Sequence, residues 1–212
     1  FARGGETIVA AGHLQRGEEA MLFACFDTKT LAVRSVTPLP VGAAVFAIHS
    51  MQVSPDGATV ALRCSDLRVR LFDTTAGRQT QELAHDSYLR EMGFSPDASR
   101  IATGTADGHI TVWDARTGVP LFDPVSVGET PCTRLMFSPK GDTVACGMRD
   151  GTLAMLDSQT GAARFEPVKL SSIPDDIQFS PDGTHLFVTD FATESPILDA
   201  TTGKVVRRLK HD

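Results

Sequence analysis

Histidines and carboxylates are the side chains of this sequence that could carry out acid–base or metal chemistry. His85 and Asp107 supply two residue types of a catalytic triad, an imidazole and the carboxylate that orients it. Asp175 and Asp176 are adjacent carboxylates, but neighbours on a strand point to opposite faces, so this pair predicts a solvated strand start. The other histidines share no metal-ligand spacing, and no metal site is predicted from them: His13, His49, His109, His185 and His211.

Glycine and cysteine patterns indicate no further chemistry. The sequence contains no GxGxxG, GxxxxGKS/T, HExxH or GxSxG motif, so neither a cofactor nor enzyme activity is predicted. The four cysteines form no CxxC pair, and we interpret them as small buried thiols in preference to a disulfide framework or a zinc site. Buried thiols favour a reducing compartment and predict a cytoplasmic location. They are Cys25, Cys64, Cys132 and Cys146.

The charge balance limits the class of partner. The 212 residues carry a formal net charge of −6 at pH 7, whereas a protein that binds nucleic acid needs clustered Lys and Arg. The basic group Arg207, Arg208 and Lys210 is interpreted as a solvated strand edge. No apolar run approaches the roughly 20 residues that cross a bilayer, and no signal-peptide pattern follows Phe1. The composition therefore predicts that neither nucleic acid nor a membrane is the partner.

A turn that recurs about every 42 residues organises the chain. Its sequence is Phe-Ser-Pro-Asp-Gly or a close variant, and the four copies begin at Val53, Phe94, Phe137 and Phe179. About 20 residues after each start comes an apolar residue followed by Asp. These apolar residues are Phe72, Trp113, Leu156 and Leu198. Each copy then ends in a turn that contains glycine, which is typical of a structural repeat.

Each repeat has the composition of short antiparallel strands. Residues 101–105 and 109–113 are rich in β-branched and aromatic residues and flank Asp107-Gly108, a strong hairpin signal. A fourth strand is predicted between repeats, at 79–83, 119–122, 163–165 and 204–209. No apolar stripe of period 3.6 is long enough for a stable helix. Four short strands at this period predict an all-β propeller, in which stacked sheets bury each other's faces.

The first repeat departs from this pattern. Residues 1–5 stand in the place of the turn, and Phe26-Asp27 in the place of the apolar residue and Asp. The two are separated by six more residues than in the other copies. We assign the insertion to the polar stretch 13–19 and expect it to form a surface loop.

Residues 94–118, FSPDASRIATGTADGHITVWDARTG, resemble a blade of the WD-repeat (WD40) family. The resemblance extends over nearly the whole chain, and this third copy carries it most fully. It implies four strands, a to d, from the centre to the rim of each blade, in a parent that is typically seven-bladed. The predicted fold is therefore an all-β, WD40-type β-propeller, present as an arc of about five four-stranded blades.

The resemblance implies a structural role for His85 and Asp107. WD repeats often contain a buried hydrogen-bonded tetrad, whose positions match His85, Thr103, Asp107 and Trp113 here. A buried imidazole and a buried indole N–H both need partners, so the tetrad is interpreted as structural and not catalytic. The other repeats lack the complete tetrad. The Trp place holds Phe72, Leu156 and Leu198, and the His place holds Ala44, Gly128 and Leu170. The last copy also has Ala192 in the Asp place and Pro196 in its third strand.

The repeats predict a single propeller segment over residues 1–212. Its blades are expected at 1–37 (incomplete), 44–83, 88–124, 131–167 and 173–209. The sequence Leu-Ala-His-Asp at 83–86 recurs as Leu-Lys-His-Asp at 209–212, so a further repeat is expected to begin at 210–212. We therefore expect the segment to need additional blades of a longer parent chain to close the ring.

The family resemblance also indicates a partner-binding face. In WD repeats, partners commonly contact two residues that follow the tetrad His and the residue before the turn Asp. The transferred positions with side chains suited to binding are His49, Tyr88, Arg90, Thr133, Arg149, Asp175 and Phe191. Tyr and Arg are common interface anchors, and Tyr88, Arg90, Arg149 and Phe191 would suit an acidic or extended peptide.

The predicted function is a non-catalytic scaffold for protein–protein interactions. The acidic, Arg- and Ala-rich repeats without Asn have a bacterial compositional style, which predicts the regulatory or sensor part of a larger bacterial signalling protein. The alternative is a propeller enzyme, of the hydrolase or quinoprotein type, with its site in blades that these residues do not include. The flanking sequence would discriminate the two, because fold alone does not decide function.

Overall fold

The computed structural model describes residues 6–16, 18–39, 47–190 and 194–210. All of the regular secondary structure in these ranges is β-strand. Several predictions concern residues outside them: the degenerate turn at 1–5, the contact residue Phe191, the positions Ala44 and Ala192, and His211.

The strands form five antiparallel sheets in chain order, named sheets 1 to 5 here. Sheet 1 contains three strands among the described residues: β1 (Thr7–Arg16), β2 (Glu18–Asp27) and β3 (Val33–Leu39). Sheet 2 contains β4 (Ile48–Val53), β5 (Thr59–Cys64), β6 (Arg68–Asp73) and β7 (Gln79–Ala84). Sheet 3 contains β8 (Leu89–Phe94), β9 (Arg100–Thr105), β10 (His109–Asp114) and β11 (Val125–Ser126).

Sheet 4 contains β12 (Cys132–Phe137), β13 (Thr143–Met148), β14 (Thr152–Asp157) and β15 (Val168–Lys169). Sheet 5 contains β16 (Pro174–Phe179), β17 (His185–Asp190), β18 (Glu194–Asp199) and β19 (Val205–Lys210). Each strand pairs with its neighbours in sequence, so every sheet is a simple meander with its first strand at one edge. We refer to that first strand as strand a and to its successors as strands b, c and d.

The chain divides into two compact units. The first contains the described residues up to Asp86 together with Ala115–Gly118, and the second contains Ser87–Asp114 and the described residues from Val119 onward. In the first unit, sheets 1 and 2 share a core that includes Phe23, Leu39, Leu62 and Phe72. The rings of Phe23 and Phe72 lie 4.4 Å apart between centroids, at an interplanar angle of 31°.

In the second unit, the facing surfaces of sheets 3, 4 and 5 bury their apolar side chains against each other. Between sheets 3 and 4, Ala102 and Val112 lie in one cluster with Phe137 and Val144. Between sheets 4 and 5, the cluster includes Leu153, Met155, Ile177, Leu186 and Leu198. A sheet with two apolar faces cannot bury both alone, and stacking resolves that problem here.

The recurrent Ser-Pro turn joins strands a and b by a repeated hydrogen bond. Ser95 Oγ donates to Asp97 Oδ1 at 2.6 Å, and the turns at Ser54 and Ser180 have the same Ser-to-Asp bond at 2.6 Å. In sheet 4 this Asp is replaced by Lys140, and Ser138 Oγ donates instead to Asp142 Oδ1, at 2.7 Å. The carboxylate has moved two residues along the turn, and the bond is preserved.

The four cysteines are buried free thiols, as predicted. Burial raises the pKa of all four, that of Cys146 to about 12. A thiol with a raised pKa is inert as a nucleophile at neutral pH, so these side chains serve as small apolar groups.

Two predicted outer strands are wrong. Strand d of sheet 3 is Val125–Ser126 and not 119–122, and strand d of sheet 4 is Val168–Lys169 and not 163–165. Only an isolated bridge forms at the predicted places, at Pro120 and at Ala163. The chain then leaves the ladder, since Phe122 turns onto Gly161 of the next sheet and Phe165 onto Gly203. A proline directly precedes each resumed strand.

The insertion in the first repeat does not form the predicted loop. Strand β1 continues to Arg16 and β2 begins at Glu18, with Arg16 opposite Glu18 in the register. The extra residues therefore lengthen both strands of a hairpin, because an antiparallel ladder can extend as far as its backbone groups remain paired.

Pro196 lies inside strand c of sheet 5, although a proline has no N–H to donate to a strand ladder. It is buried and sits opposite Arg208 of strand d, whereas pairing with strand b covers only Ile197 to Asp199. The missing N–H therefore falls beyond the paired part of the inner ladder.

Candidate functional site: the bulged ends of the inner strands

Strand a of each four-stranded sheet begins with a β-bulge at an equivalent place. In sheet 3, Leu89 pairs with Thr105 and Glu91 pairs with Gly104, so Arg90 is the extra residue of the bulge. The same register shift makes His49, Thr133 and Asp175 the extra residues of sheets 2, 4 and 5. A bulge re-aims a side chain and is common beside binding sites. The four residues occupy equivalent positions in their repeats, and this position is one of those that the family resemblance indicates as a partner contact.

In sheets 2, 3 and 4, the residue just before strand a accepts a hydrogen bond from the b–c turn. In sheet 3 the Ala106 N–H donates to Tyr88 O at 2.7 Å. The equivalent bonds join Ser65 to Ala47 and Arg149 to Pro131, each at 2.8 Å. In sheets 2, 3 and 4 the structure thus brings together the two parts of the predicted face: the connection that enters strand a and the turn between strands b and c.

Most of these side chains are accessible. Tyr88 is 66% exposed, and His49, Arg90, Arg149 and Asp175 are also exposed, whereas Thr133 is half-buried. Thr133 Oγ1 donates to Gly147 O at 3.1 Å and lies 3.4 Å from Pro174 O, so its hydroxyl is used within the fold. Phe191 lies outside the described residues.

Arg134 is a residue of this region that sequence reasoning missed. Its Nη2 lies 3.3 Å from Asp175 Oδ1 and its Nη1 lies 3.9 Å from Glu91 Oε1, so its guanidinium links strands a of sheets 3, 4 and 5. The bulge residues of these three sheets consequently lie side by side. The signal in the sequence was the alternation of Glu, Arg and Asp at the start of three successive inner strands.

Three of the four tetrad residues lie in the second unit. Trp113 Nε1 donates to Thr103 Oγ1 at 2.9 Å, and both side chains are buried. The carboxylate of Asp107 accepts a hydrogen bond from Thr105 Oγ1 and lies 3.3 Å from His109 Nδ1. Partial burial raises the pKa of Asp107, but the bonds from Thr105 and His109 outweigh it and lower the pKa below its usual value.

His85 belongs to the first compact unit. Its ring Nδ1 lies 3.1 Å from Leu83 O, and its backbone N–H donates to Leu67 O at 3.0 Å. Burial lowers the pKa of His85, although the hydrogen bond to Leu83 opposes that shift. The imidazole is therefore neutral at physiological pH. Its tetrad role stays a prediction.

In the described ranges, no three His, Cys, Asp or Glu side chains converge on a position for a metal ion. The same residues include no helix of the length and apolar character that crossing a bilayer requires.

Comparison with known proteins decides the nature of the repeat. The family model described as WD domain, G-beta repeat matches residues 77–114. The segment 77–114 is therefore similar to a WD40 repeat. The matched segment runs from the turn before β7 to the end of β10 and contains all four tetrad positions.

Relatives share parts of the WD40 region. A ribosome biogenesis protein WDR12 homolog from Chlamydomonas reinhardtii is 39% identical over 85 residues, which are 37% of this chain and 19% of that protein. A U3 small nucleolar RNA-associated protein 18 homolog from Arabidopsis thaliana is 26% identical over 135 residues, which are 64% of this chain and 23% of that protein. The chain matches less than a quarter of either relative. Both organisms are eukaryotes, so these relatives give the predicted bacterial source no support.

A solved structure shows the same fold. A chain in the crystal structure of the mitotic checkpoint complex superimposes with a TM-score of 0.74 over 96% of this chain and 60% of its own length. Its sequence is 14% identical, so the likeness concerns the fold alone. Together with the meander sheets, it confirms the predicted class, an all-β fold of the WD40 propeller type.

Proposed function

We propose that the chain is part of a non-catalytic platform for protein–protein interactions, and that partners bind at the bulged ends of the inner strands. The recurrence of the bulge is the observation that carries the proposal. Four sheets have the same register shift, and each presents its extra residue at the end where the b–c turn lies. Binding residues held on loops and strand ends of a rigid scaffold are the usual arrangement in binding modules.

The side chains of the second unit favour an acidic, extended peptide. Tyr88 offers an exposed aromatic ring, and Arg90 and Arg149 offer guanidinium groups that bind carboxylates in bidentate geometry. The positive charge of neighbouring Arg134 is balanced by Glu91 and Asp175. The chain as a whole carries a net charge of −6, so Arg90 and Arg149 are local positive groups on an acidic protein. That contrast favours acidic peptides over nucleic acid as partners.

The relatives support the platform role in a general way. Their names describe one protein of ribosome biogenesis and one associated with a small nucleolar RNA, and each matches part of this chain. We propose that this chain likewise contributes a binding surface to an assembly. The attachment to a bacterial signalling protein and the cytoplasmic location remain proposals; the four buried free thiols support a reducing compartment.

We further propose that additional blades complete the propeller. Sheet 5 has an open, largely apolar groove of ≈ 540 Å³ lined by Phe179, Phe187, Ile197 and Val206, among others. A following sheet would cover such a face, as sheet 5 itself covers sheet 4. The mitotic checkpoint chain, of which 60% is matched, has length for further sheets.

Peptide selection tests the binding face. Random peptides displayed on phage are selected on the wild-type protein, and the affinities of synthetic copies are then measured by fluorescence anisotropy. We expect selected peptides to be enriched in Asp and Glu. The double variant Arg90→Glu and Arg149→Glu should weaken their binding at least tenfold, and added salt should weaken wild-type binding, because the contacts are charged and exposed.

A matched control carries the same charge change at another edge. Arg207 and Arg208 are exposed on the outer strand β19, so Arg207→Glu with Arg208→Glu should leave peptide affinity unchanged. Equal weakening by both double variants would show that only net charge matters. Equal affinity for wild type and the Arg90 and Arg149 variant, with both folded, would refute this face.

A further inference from the structure

Sheets 4 and 5 enclose a cavity at the end opposite to the bulges. Its volume is ≈ 310 Å³, and its walls include Thr143, Gly183 and Ala200. This is the end where the a–b and c–d turns lie. Ligand pockets begin at about this size, so the space admits one long side chain.

The equivalent place between sheets 3 and 4 is filled by the chain itself. The guanidinium of Arg100 lies there, and its Nη1 donates to Gly141 O at 3.2 Å and to Ser158 Oγ at 3.0 Å. Ser158 Oγ in turn donates to Gly141 O at 2.7 Å. Arginine, a turn carbonyl and a hydroxyl thus form a closed set of hydrogen bonds between two neighbouring sheets.

The register identifies the corresponding residues one sheet further along. Arg100 lies opposite Asp114 in the b–c ladder, and Thr143 lies opposite Asp157. The place of Gly141 is taken by Gly183, and the place of Ser158 by Ala200, whose backbone N–H bonds to Thr184 O as that of Ser158 bonds to Asp142 O. All three substitutes line the cavity.

The space results from shorter side chains and not from wider spacing of the turns. A Cβ built on Gly141 would lie 3.4 Å from Pro96, and one on Gly183 would lie 3.6 Å from Pro139. The neighbouring turns are therefore stacked alike in both places. Replacing Arg100 by Thr143 removes the guanidinium, and replacing Ser158 by Ala200 removes a hydroxyl.

The charges around the cavity suit a cation. Asp142 and Asp182 line it together with Lys140 and Arg164. Arg164 is already engaged, since its Nη2 lies 2.9 Å from Asp157 Oδ2 and donates to Asp142 O at 3.1 Å. Hydrogen bonds from Ser180 and Thr184 hold the pKa of Asp182 well below its usual range, so this carboxylate is ionised at neutral pH. Two carboxylates, Asp142 and Asp182, line the cavity beside these two cations. Arg164 is paired with Asp157, a carboxylate outside the lining, as well as with Asp142.

We propose that this cavity binds an arginine side chain of a partner protein, in the place that Arg100 occupies between sheets 3 and 4. The turn carbonyl of Gly183 and the carboxylates of Asp142 and Asp182 accept its hydrogen bonds. The site is separate from the face that contains Tyr88, Arg90 and Arg149, and it takes a cationic group where that face takes an acidic one.

Binding of a model compound tests the proposal directly. N-acetyl-arginine amide is titrated into the ¹⁵N-labelled protein, and the NMR signals of Gly183, Thr184 and Ala200 are followed. We expect saturable shifts at these residues, and at least tenfold weaker binding of N-acetyl-citrulline amide, which has the same shape without the charge. Equal shifts from the two compounds would overturn the proposal.

Three variants distinguish an arginine site from an anion site. Thr143→Arg should fill the cavity, abolish the shifts and raise Tm; if it fails to fold, Ala200→Met fills the same space and should also abolish binding. Lys140→Ala should tighten arginine binding, because it removes a like charge. If inorganic phosphate alone shifts the same signals and Lys140→Ala abolishes that effect, the cavity is an anion site and the proposal is wrong.

The converse variant uses the chain's own arginine. Arg100→Thr should open a second cavity between sheets 3 and 4 and lower Tm, and N-acetyl-arginine amide should restore part of that loss while the citrulline compound does not. The Arg90→Glu and Arg149→Glu double variant should still bind N-acetyl-arginine amide. The peptide-binding face and the arginine-binding cavity are therefore tested independently of each other. No recovery of Tm in Arg100→Thr would contradict the structural equivalence on which the site rests.

Discussion

Sheets 2 and 3 hold the same backbone together with different chemistry. In sheet 3, Trp113 donates to Thr103, a polar pair buried between strands b and c. In sheet 2 the same two positions hold Phe72 and Leu62, both fully buried. An indole–hydroxyl pair and an apolar pair of similar bulk are therefore interchangeable here, as long as no buried polar atom is left without a partner.

The turn carboxylate shows the same exchange. In sheet 3, Asp107 is bonded to Thr105 and His109, close to the turn. In sheet 2, Asp66 is held by Arg70, whose Nη1 and Nη2 donate to its two oxygens at 3.0 and 2.6 Å. Arg70 is 3% exposed and also lies 3.4 Å from Glu82. Where the Trp pair is absent, a bidentate ion pair secures the turn.

The largest expected effect is the loss of the indole. Trp113→Ala removes a buried aromatic ring and its hydrogen bond to Thr103, so it should lower the free energy of unfolding by about 3–5 kcal/mol. Leu198→Ala, at the equivalent place in sheet 5, should cost somewhat less. Denaturant unfolding measures both. A Trp113→Ala protein that unfolds like the wild type would show that this pair does not stabilise sheet 3.

The next effect concerns the ion pair of sheet 2. Arg70→Met should cost about 2–3 kcal/mol, below the usual range for a broken buried pair because both carboxylates are partly exposed. Arg68 is the matched control, since it binds the same Glu82 at 2.7 Å but is 41% exposed. Arg68→Met should cost less than about 1 kcal/mol. Equal losses would mean that burial of Arg70 does not matter.

Replacing the polar pair of sheet 3 by the apolar pair of sheet 2 tests whether the two pairs are interchangeable. Thr103→Leu and Trp113→Phe, made singly, each break the hydrogen bond between the two side chains, and each should cost about 1–3 kcal/mol. The double variant reproduces the Leu62–Phe72 pair of sheet 2 and should cost less than the sum of the singles by at least about 0.5 kcal/mol. Additive losses in urea unfolding would show that the two side chains act independently.

The sequence predicted the parts of the fold that local chemistry determines. The Ser-Pro turn recurs in four copies and the Asp-Gly hairpin in two, at Gly108 and Gly151, so the inner strands were predictable. The outer strands of sheets 3 and 4 were not, because the detour at Phe122 depends on a glycine, Gly161, in the following sheet. Contact with a residue so far along the chain leaves no local pattern.

The site was predictable to a similar extent. The positions of Tyr88, Arg90 and Arg149 came from the repeat alignment, whereas the bulge that presents Arg90 depends on the register between strands a and b. The cavity between sheets 4 and 5 was missed because each of its walls is unremarkable alone. Only the comparison of Thr143 with the filled place of Arg100 makes it visible.

A smaller effect distinguishes the a–b turns of the two sheets. Gly57 has a φ of 69° in sheet 2, and Ala98 has a φ of 60° at the same place in sheet 3. An L-residue in this left-handed region is strained by about 1–2 kcal/mol, and glycine relieves that strain. Part of the gain is lost because glycine also makes the unfolded chain more flexible. Ala98→Gly should therefore raise the free energy of unfolding by up to about 1 kcal/mol. Gly57→Ala is the converse control and should lower it.

The smallest effect extends the comparison to sheet 4, where the turn carboxylate has a third kind of partner. Lys169 Nζ donates to Asp150 Oδ2 at 2.7 Å, and chiefly this bond lowers the pKa of Asp150 to about 2. A carboxyl whose pKa is lower folded than unfolded stabilises the fold above its unfolded pKa of about 3.9 and loses that contribution as the pH falls toward 2. Lys169→Met should raise the Asp150 midpoint in an NMR titration. Because Lys169 is 61% exposed, the loss of stability at pH 7 should stay below about 1 kcal/mol and vanish near pH 2. Lys204→Met changes an exposed lysine of sheet 5 and should leave the Asp150 midpoint unchanged. If Lys169→Met also leaves that midpoint unchanged, the b–c turn of sheet 4 does not depend on Lys169, whereas that of sheet 2 depends on Arg70.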